Sequence, residues 1–198
     1  MDEGLTIEEA DAVMGRPVGI PKTGVFGLLD MVGLDLMPHV LGSMAESLPK
    51  HDPFHEVFRK PELIKRMIDD GYTGRKGKGG FYRLKPDAEE KIKEAIDLET
   101  GEYRTAQKPK LESVAKAKKG GLKAMMELGD QTANYAWWVL SRTLSYAARL
   151  VPEISDDITG VDDAMRLGYN WKFGPFELID QLGSGWFAER LREDGQAV

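Results

Sequence analysis

Three cations, Arg75, Lys76 and Lys78, stand among the glycines of Gly71-Tyr72-Thr73-Gly74-Arg75-Lys76-Gly77-Lys78-Gly79-Gly80-Phe81-Tyr82. Bare amides and Lys or Arg heads are what phosphate oxygens need, so the stretch is a candidate phosphate cradle. No Gly-Lys-Ser or Gly-Lys-Thr opens a helix there, and on spacing alone a solvated glycine-rich turn is the better reading. His51 and His55 lie four apart, a metal-ligand spacing on a helix. Pro53 interrupts them and no third ligand is near, so no metal site is expected. Between Gly15 and Gly24, Pro17 and Pro21 forbid regular helix, which predicts an extended loop able to present Lys22 and Thr23.

The elements that must position these residues are announced by a repeat. Gly24-Val25-Phe26-Gly27-Leu28-Leu29-Asp30-Met31-Val32-Gly33 returns 150 residues later as Gly174-Pro175-Phe176-Glu177-Leu178-Ile179-Asp180-Gln181-Leu182-Gly183. One spacing of Gly, Phe, Leu, Asp and Gly used twice implies two copies of one unit. In each copy the apolar residues recur at a three-residue interval, Phe26, Leu29 and Val32 or Phe176, Ile179 and Leu182, the stripe of a buried helix. Asp30 and Asp180 sit amid apolar neighbours. A covered carboxylate must be hydrogen-bonded, so a structural Asp tying two helices is the preferred reading over substrate contact. Upstream, Thr6-Ile7-Glu8-Glu9 and Thr159-Gly160-Val161-Asp162 each offer a hydroxyl followed three residues later by an acid, the signature of a capped helix start. Asp11-Ala12-Val13 then corresponds to Asp163-Ala164-Met165 with a slip of one residue.

Composition narrows the classes. The formal charge of -6 and pI near 5.2 give no general attraction to nucleic acid or anionic membrane. Without cysteine there are no disulfides, thiolate metal sites or cysteine nucleophile. Nothing at Met1 reads as a signal peptide and no apolar run reaches about 18 residues, so a cytoplasmic protein is expected. Helical spacing predicts helices over 35–48, 62–69, from about Leu111 with a break at Gly120-Gly121, and from Tyr135 to Val151. The acidic run from Asp87 to Glu102 reads as a solvated helix, and Phe81-Tyr82-Arg83-Leu84 as the one possible strand. The start at Met1 is abrupt, as in a piece of a larger protein.

Arg16-Pro17-Val18-Gly19-Ile20-Pro21-Lys22-Thr23-Gly24, Asp30 to Asp35 and Gly74 to Tyr82 together resemble the C-terminal helical domain of 3-hydroxyacyl-CoA dehydrogenases. Met165 to Asp180 resembles a second copy, a tandem arrangement typical of multifunctional fatty-acid β-oxidation proteins. The resemblance implies an all-α fold, two tandem copies of a 6-phosphogluconate dehydrogenase C-terminal-like helical domain packed together. The copies would occupy 1–102, lacking its first helix, and 124–198, joined by a basic linker and helix at 103–123. It implies NAD-dependent oxidation of 3-hydroxyacyl-CoA by the full-length parent, with NAD and the catalytic residues on a Rossmann domain. None of those residues falls in this chain, which has no Gly-x-Gly-x-x-Gly after a strand pattern, and alone it is expected to be inactive.

The family's active-site Asn lies in an Asn-Arg pair whose counterpart in copy two is Ser141-Arg142, too short for the amide's role. The resemblance places Lys22, Thr23, Gly24, Val25 and Phe26 nearest the acyl-thioester, with Arg75, Lys76 and Lys78 as weaker candidates for the CoA phosphates. Asp30, Asp180, Pro175 and Phe176 are structural. Partners implied are the Rossmann domain, an enoyl-CoA hydratase module, acyl-CoA and a second copy of the chain. The alternative is a free-standing helical module for dimerisation or acyl-CoA binding.

Overall fold

The computed structural model describes residues 4–197; the start expected at Met1 lies outside them. The chain is mostly helical, with one small sheet, and divides into two compact units. One gathers Glu9–Gly24 and residues 109–197, the other Thr6–Glu8 and Val25–Lys108.

The second unit holds α2 (Phe26–Val32), α3 (Leu36–Ser47), α4 (Phe54–Val57), α5 (Glu62–Asp69) and the strands β1 (Tyr82–Leu84), β2 (Lys93–Ile96) and β3 (Tyr103–Thr105). Pro38 is tolerated because it lies in the first turn of α3, and Pro61 stands just before α5. The strands form an antiparallel meander in the order β1-β2-β3, with Arg83 opposite Glu94 and Ala95 opposite Arg104. Phe26 meets Phe81 edge to face at 4.8 Å, and around them Ile7, Leu34, Met67, Ala95 and Ile96 are buried.

The mostly helical class holds, and β1 forms where Phe81 to Leu84 reads as a strand. The sheet corrects one expectation: the acidic run from Asp87 to Glu102 is not a helix. Glu94, Ala95 and Ile96 are buried in the middle strand, and burial with pairing on both sides overrides the helical propensity of a charged segment. The turn that follows forms because the Asp97 carboxylate accepts hydrogen bonds from the amides of Thr100 (2.9 Å) and Glu99 (3.0 Å), which also hold its pKa down.

The first unit comprises most of α1 (Ile7–Val13), a 3-10 turn at Arg16–Val18, α6 (Glu112–Met126), α7 (Gln131–Arg149), α8 (Ile158–Tyr169), α9 (Pro175–Leu182) and α10 (Ser184–Glu193). The loop expected to be extended between Gly15 and Gly24 is instead compact. Pro17 favours the 3-10 turn, and Gly19 closes it in the left-handed region at φ 75°. The break predicted in α6 is present at Gly121, where φ is 79° and ψ -172°.

Helix α7 begins earlier than Tyr135 because the Asp130 side chain caps it, accepting from Ala133 N at 2.7 Å. Likewise α8 is capped by Asp157, through Gly160 N at 2.9 Å, and Thr159 lies inside the helix rather than at its cap. The apolar faces of α7, α9 and α10 meet in a core of Leu140, Leu144, Leu178, Leu182 and Leu191. Trp137 lies against Trp186 and Phe187 and donates its indole N–H to Asp194.

In the second unit, Glu8 is buried in a bidentate pair with Arg104 at 2.7 and 2.9 Å, and also accepts from Gln107 N at 2.9 Å. Burial pushes its carboxyl up, but these hydrogen bonds outweigh burial and hold it below its ordinary value of 4.5. A depressed carboxyl contributes stability that is complete above its unfolded pKa and lost as pH falls through the lower folded one. An acid titration followed by circular dichroism is therefore expected to show Arg104→Ala unfolding at a higher pH than the parent; coincident curves would mean that the pair contributes nothing.

Candidate functional site

The repeat motif places Asp30 near the end of α2, where it is buried at 4 % exposure. Its Oδ1 accepts from Phe81 N at 2.7 Å and its Oδ2 from Tyr82 N at 2.8 Å, while its carbonyl accepts from Arg75 N at 2.8 Å. One residue thus fixes both ends of the glycine-rich loop. A Cβ on Gly80 would overlap the carboxylate and one on Gly74 the Asp30 carbonyl, so the two glycines are what lets the loop approach. Tyr103 Oη donates to Gly80 O at 2.6 Å. Burial raises the Tyr103 phenol to about 12, and the Arg83 guanidinium lies 3.6 Å over its ring. Arg83 also pairs with Glu94 at 2.8 Å and donates to Tyr72 Oη at 2.8 Å, so the loop rests on a fully engaged base.

Within the loop most amides are already used. Gly74 N donates to Gly79 O, Gly77 N to Gly74 O, Lys78 N to Gly71 O and Gly80 N to Tyr82 O. What the loop retains for an anion is side-chain charge. Lys78 Nζ is hydrogen-bonded at 2.9 Å to Asp70 O, a free carbonyl at the end of α5, whereas Arg75 and Lys76 are exposed. His55 Nε2 is hydrogen-bonded at 3.0 Å to Pro49 O.

The run from Lys22 to Phe26 is divided between the units. In the first, Lys22 is exposed, Thr23 Oγ1 is buried without a hydrogen-bond partner, and Gly24, at φ 66°, is pressed on Asp11 so closely that a Cβ would overlap its carboxylate. In the second, Val25 precedes α2 and Phe26 is buried on Phe81.

The later motif also forms a helix, α9, but its aspartate is not buried. Asp180 is exposed, and among the described residues no amide donates to its carboxylate as those of Phe81 and Tyr82 do to that of Asp30. The buried acid is Asp162 of α8, at 7 % exposure, whose oxygens accept from Phe176 N at 2.8 Å and Glu177 N at 3.1 Å. These are first-turn amides of α9, which Gly174 has no side chain to cap; Glu177 in turn accepts from Gly174 N at 2.8 Å. Burial raises the Asp162 carboxyl despite these amide bonds. Gly174 meets Asp162 as Gly24 meets Asp11, so the pair to compare is Asp11 with Asp162 and not with Asp163. The glycine two residues before each phenylalanine was the available signal. Pro175 is buried at the start of α9 and Phe176 is half-buried. Ser141 is fully buried on α7, where its Oγ lies 3.2 Å from Gln196 Nε2.

Comparison with known proteins places these elements. The family model of the 3-hydroxyacyl-CoA dehydrogenase C-terminal domain matches in two stretches, residues 1–84 and 138–195. A protein of Bacillus subtilis (strain 168), provisionally named a 3-hydroxyacyl-CoA dehydrogenase, is 34% identical over 194 residues, 97% of this chain and 24% of its own length. Proteins of Rickettsia prowazekii and Rickettsia felis, provisionally named fatty acid oxidation complex trifunctional enzymes, are 32% identical over 93% of the chain and 35% identical over 94%. The chain spans about a quarter of the length of these relatives.

Urea unfolding separates the two carboxylates that share a motif position. Asp30→Ala, which strands two amides, should lose about 3 kcal/mol in the second unit. Asp180→Ala should stay within about 0.5 kcal/mol of the parent. Asp162→Ala, removing the remote cap of α9, should cost about 1–2 kcal/mol. Equal losses at Asp30 and Asp180 would contradict this assignment.

Proposed function

Because the chain belongs to the 3-hydroxyacyl-CoA dehydrogenase C-terminal domain family, we propose that it is the helical part of an enzyme oxidising 3-hydroxyacyl-CoA to 3-oxoacyl-CoA in fatty-acid β-oxidation. The observation that carries this reading is the family match in two separate stretches together with relatives aligned along nearly the whole chain. The two stretches, and the parallel seating of Gly24 on Asp11 and Gly174 on Asp162, support tandem copies of one domain. The described residues do not fit a dinucleotide. Their one sheet is an antiparallel meander of short strands, and a strand-glycine loop-helix crossover is lacking among them. NAD and the catalytic groups therefore belong to another part of the longer protein, in the cytoplasm.

This chain's contribution is to cap the substrate cleft. Lys22, Thr23, Gly24, Val25 and Phe26 would lie nearest the acyl-thioester, excluding water and orienting the substrate, which lowers the barrier by positioning. Arg75 and Lys76, whose heads are free of described partners, are the side chains of the glycine-rich loop that would take CoA phosphates, with Lys78 held back by Asp70. Ser141, enclosed in the first unit, supports a scaffold role for the second copy.

A second reading, a dimerisation module, is favoured by one observation. Leu28, Met31 and Val32 on α2 and Leu36, Val40 and Met44 on α3 form two apolar stripes that are 37–45% exposed. The same face would serve for packing on an enoyl-CoA hydratase module or a cofactor domain. Sedimentation of the chain and of Val40→Glu is expected to show self-association that the substitution abolishes; a monomer in both would remove dimerisation through this face.

Activity tests the principal reading. Alone, the chain should leave the nicotinamide absorbance of NAD unchanged with 3-hydroxybutyryl-CoA. Grafted in place of the matching region of the Bacillus subtilis relative, it should restore NAD-dependent oxidation of that substrate. A folded, NAD-binding graft without turnover, or robust turnover by the isolated chain, would overturn the proposal.

A further inference from the structure

Within the first unit a cleft of about 640 Å³ gathers cations from three distant segments: Arg16 and Lys22 from the turn region, Lys118 from α6 and Lys172 from the turn before α9. One acid, Asp11, shares the lining, so four positive charges face a single negative one. None of the four cations has an ion-pair partner among the described residues. In a chain of net charge -6 this is a local inversion of sign, and a cleft lined by one sign concentrates ligands of the other.

The convergence is held by backbone, not by the charges themselves. Lys172 N donates to Gly19 O at 2.7 Å, and Phe173 packs on Gly19, where a Cβ would come within 2.9 Å of the ring. Gly121, at the break of α6, also lines the cleft. Unpaired like charges brought together by a rigid frame oppose folding, and such local conflicts are the ones that proteins retain at functional sites. Apart from Asp11 and Gln181 the rest of the wall is apolar, with Pro17, Val114 and Phe173 beside the cations. The volume lies in the range of small-molecule sites.

We infer that this cleft binds a small organic diphosphate, its anionic end among Arg16, Lys118 and Lys172 and its body on Pro17 and Phe173. Phosphate oxygens suit the point charges of lysine and the fork of arginine. A free nucleotide and coenzyme A both carry this chemistry. The inference goes beyond the dehydrogenase reading and is tested by binding without turnover, so either can fail alone.

Calorimetric titration of the whole chain with ADP, coenzyme A and inorganic pyrophosphate tests it. The triple variant Arg16→Gln, Lys118→Gln, Lys172→Gln should weaken ADP binding by at least about 30-fold. The control Lys65→Gln, Lys91→Gln, two exposed lysines of the second unit, should change it by less than about twofold. Pyrophosphate, lacking a body for the apolar wall, should bind about tenfold more weakly than ADP. Coenzyme A should match ADP within about tenfold if the diphosphate is the shared determinant. Without ligand, the triple variant should melt no lower than the parent, because the repulsion it removes outweighs the one contact it breaks, Lys172 Nζ at 4.7 Å over the Phe173 ring. Absence of ADP binding, coenzyme A binding with ADP silent, equal effects of the two variants, pyrophosphate as tight as ADP, or a lower melting temperature of the triple variant would each overturn the inference.

Discussion

A carboxylate withdrawn from water must be given hydrogen-bond donors, and in each unit of this protein one buried aspartate takes two consecutive backbone amides. Asp30 takes those of Phe81 and Tyr82, and Asp162 those of Phe176 and Glu177. Each clamp ties a helix to a segment distant in sequence. In the second unit it fixes where the glycine-rich loop ends and the sheet begins; in the first it supplies the N-terminal cap that Gly174 cannot. The glycines beside them follow from the clamps, since any Cβ at Gly80 or Gly174 would occupy space the carboxylate or its residue needs.

The sequence made the helices legible where apolar spacing was strong, as at Leu36–Ser47 and Glu62–Asp69, and where glycine forced a break, as at Gly121. It showed the first strand, at Phe81 to Leu84, but hid the rest of the sheet, because β2 is short and rich in helix formers and β3 is only three residues long. Asp30 was readable as a structural acid, but its partner loop was not, because 51 residues separate Asp30 from Phe81. Asp162 was obscured by a neighbouring acid, Asp163, and by a motif that pointed to Asp180. Sequence likeness preserved the position of an aspartate without preserving what surrounds it.

Charge is distributed with similar economy. The buried acids are satisfied by amides or by Arg83 and Arg104, and cations without ion-pair partners stand together on the exposed glycine-rich loop of the second unit and in the cleft of the first. The loop has spent most of its amides on its own turn, while the cleft combines charge with an apolar wall. The cationic loop and the cationic cleft thus lie on different units. The apolar stripes of α2 and α3 complete the second unit's outward face.

Residue-resolved hydrogen exchange of the unmodified chain measures the clamps most directly. The amides of Phe81 and Tyr82 should exchange as slowly as that of Ile96 in β2, and those of Phe176 and Glu177 as slowly as that of Leu178 in α9, although the former pair opens a strand and the latter a helix whose first-turn amides ordinarily exchange fast. Rapid exchange at all four positions beside a protected Ile96 and Leu178 would contradict the claim that buried carboxylates hold the two units in shape.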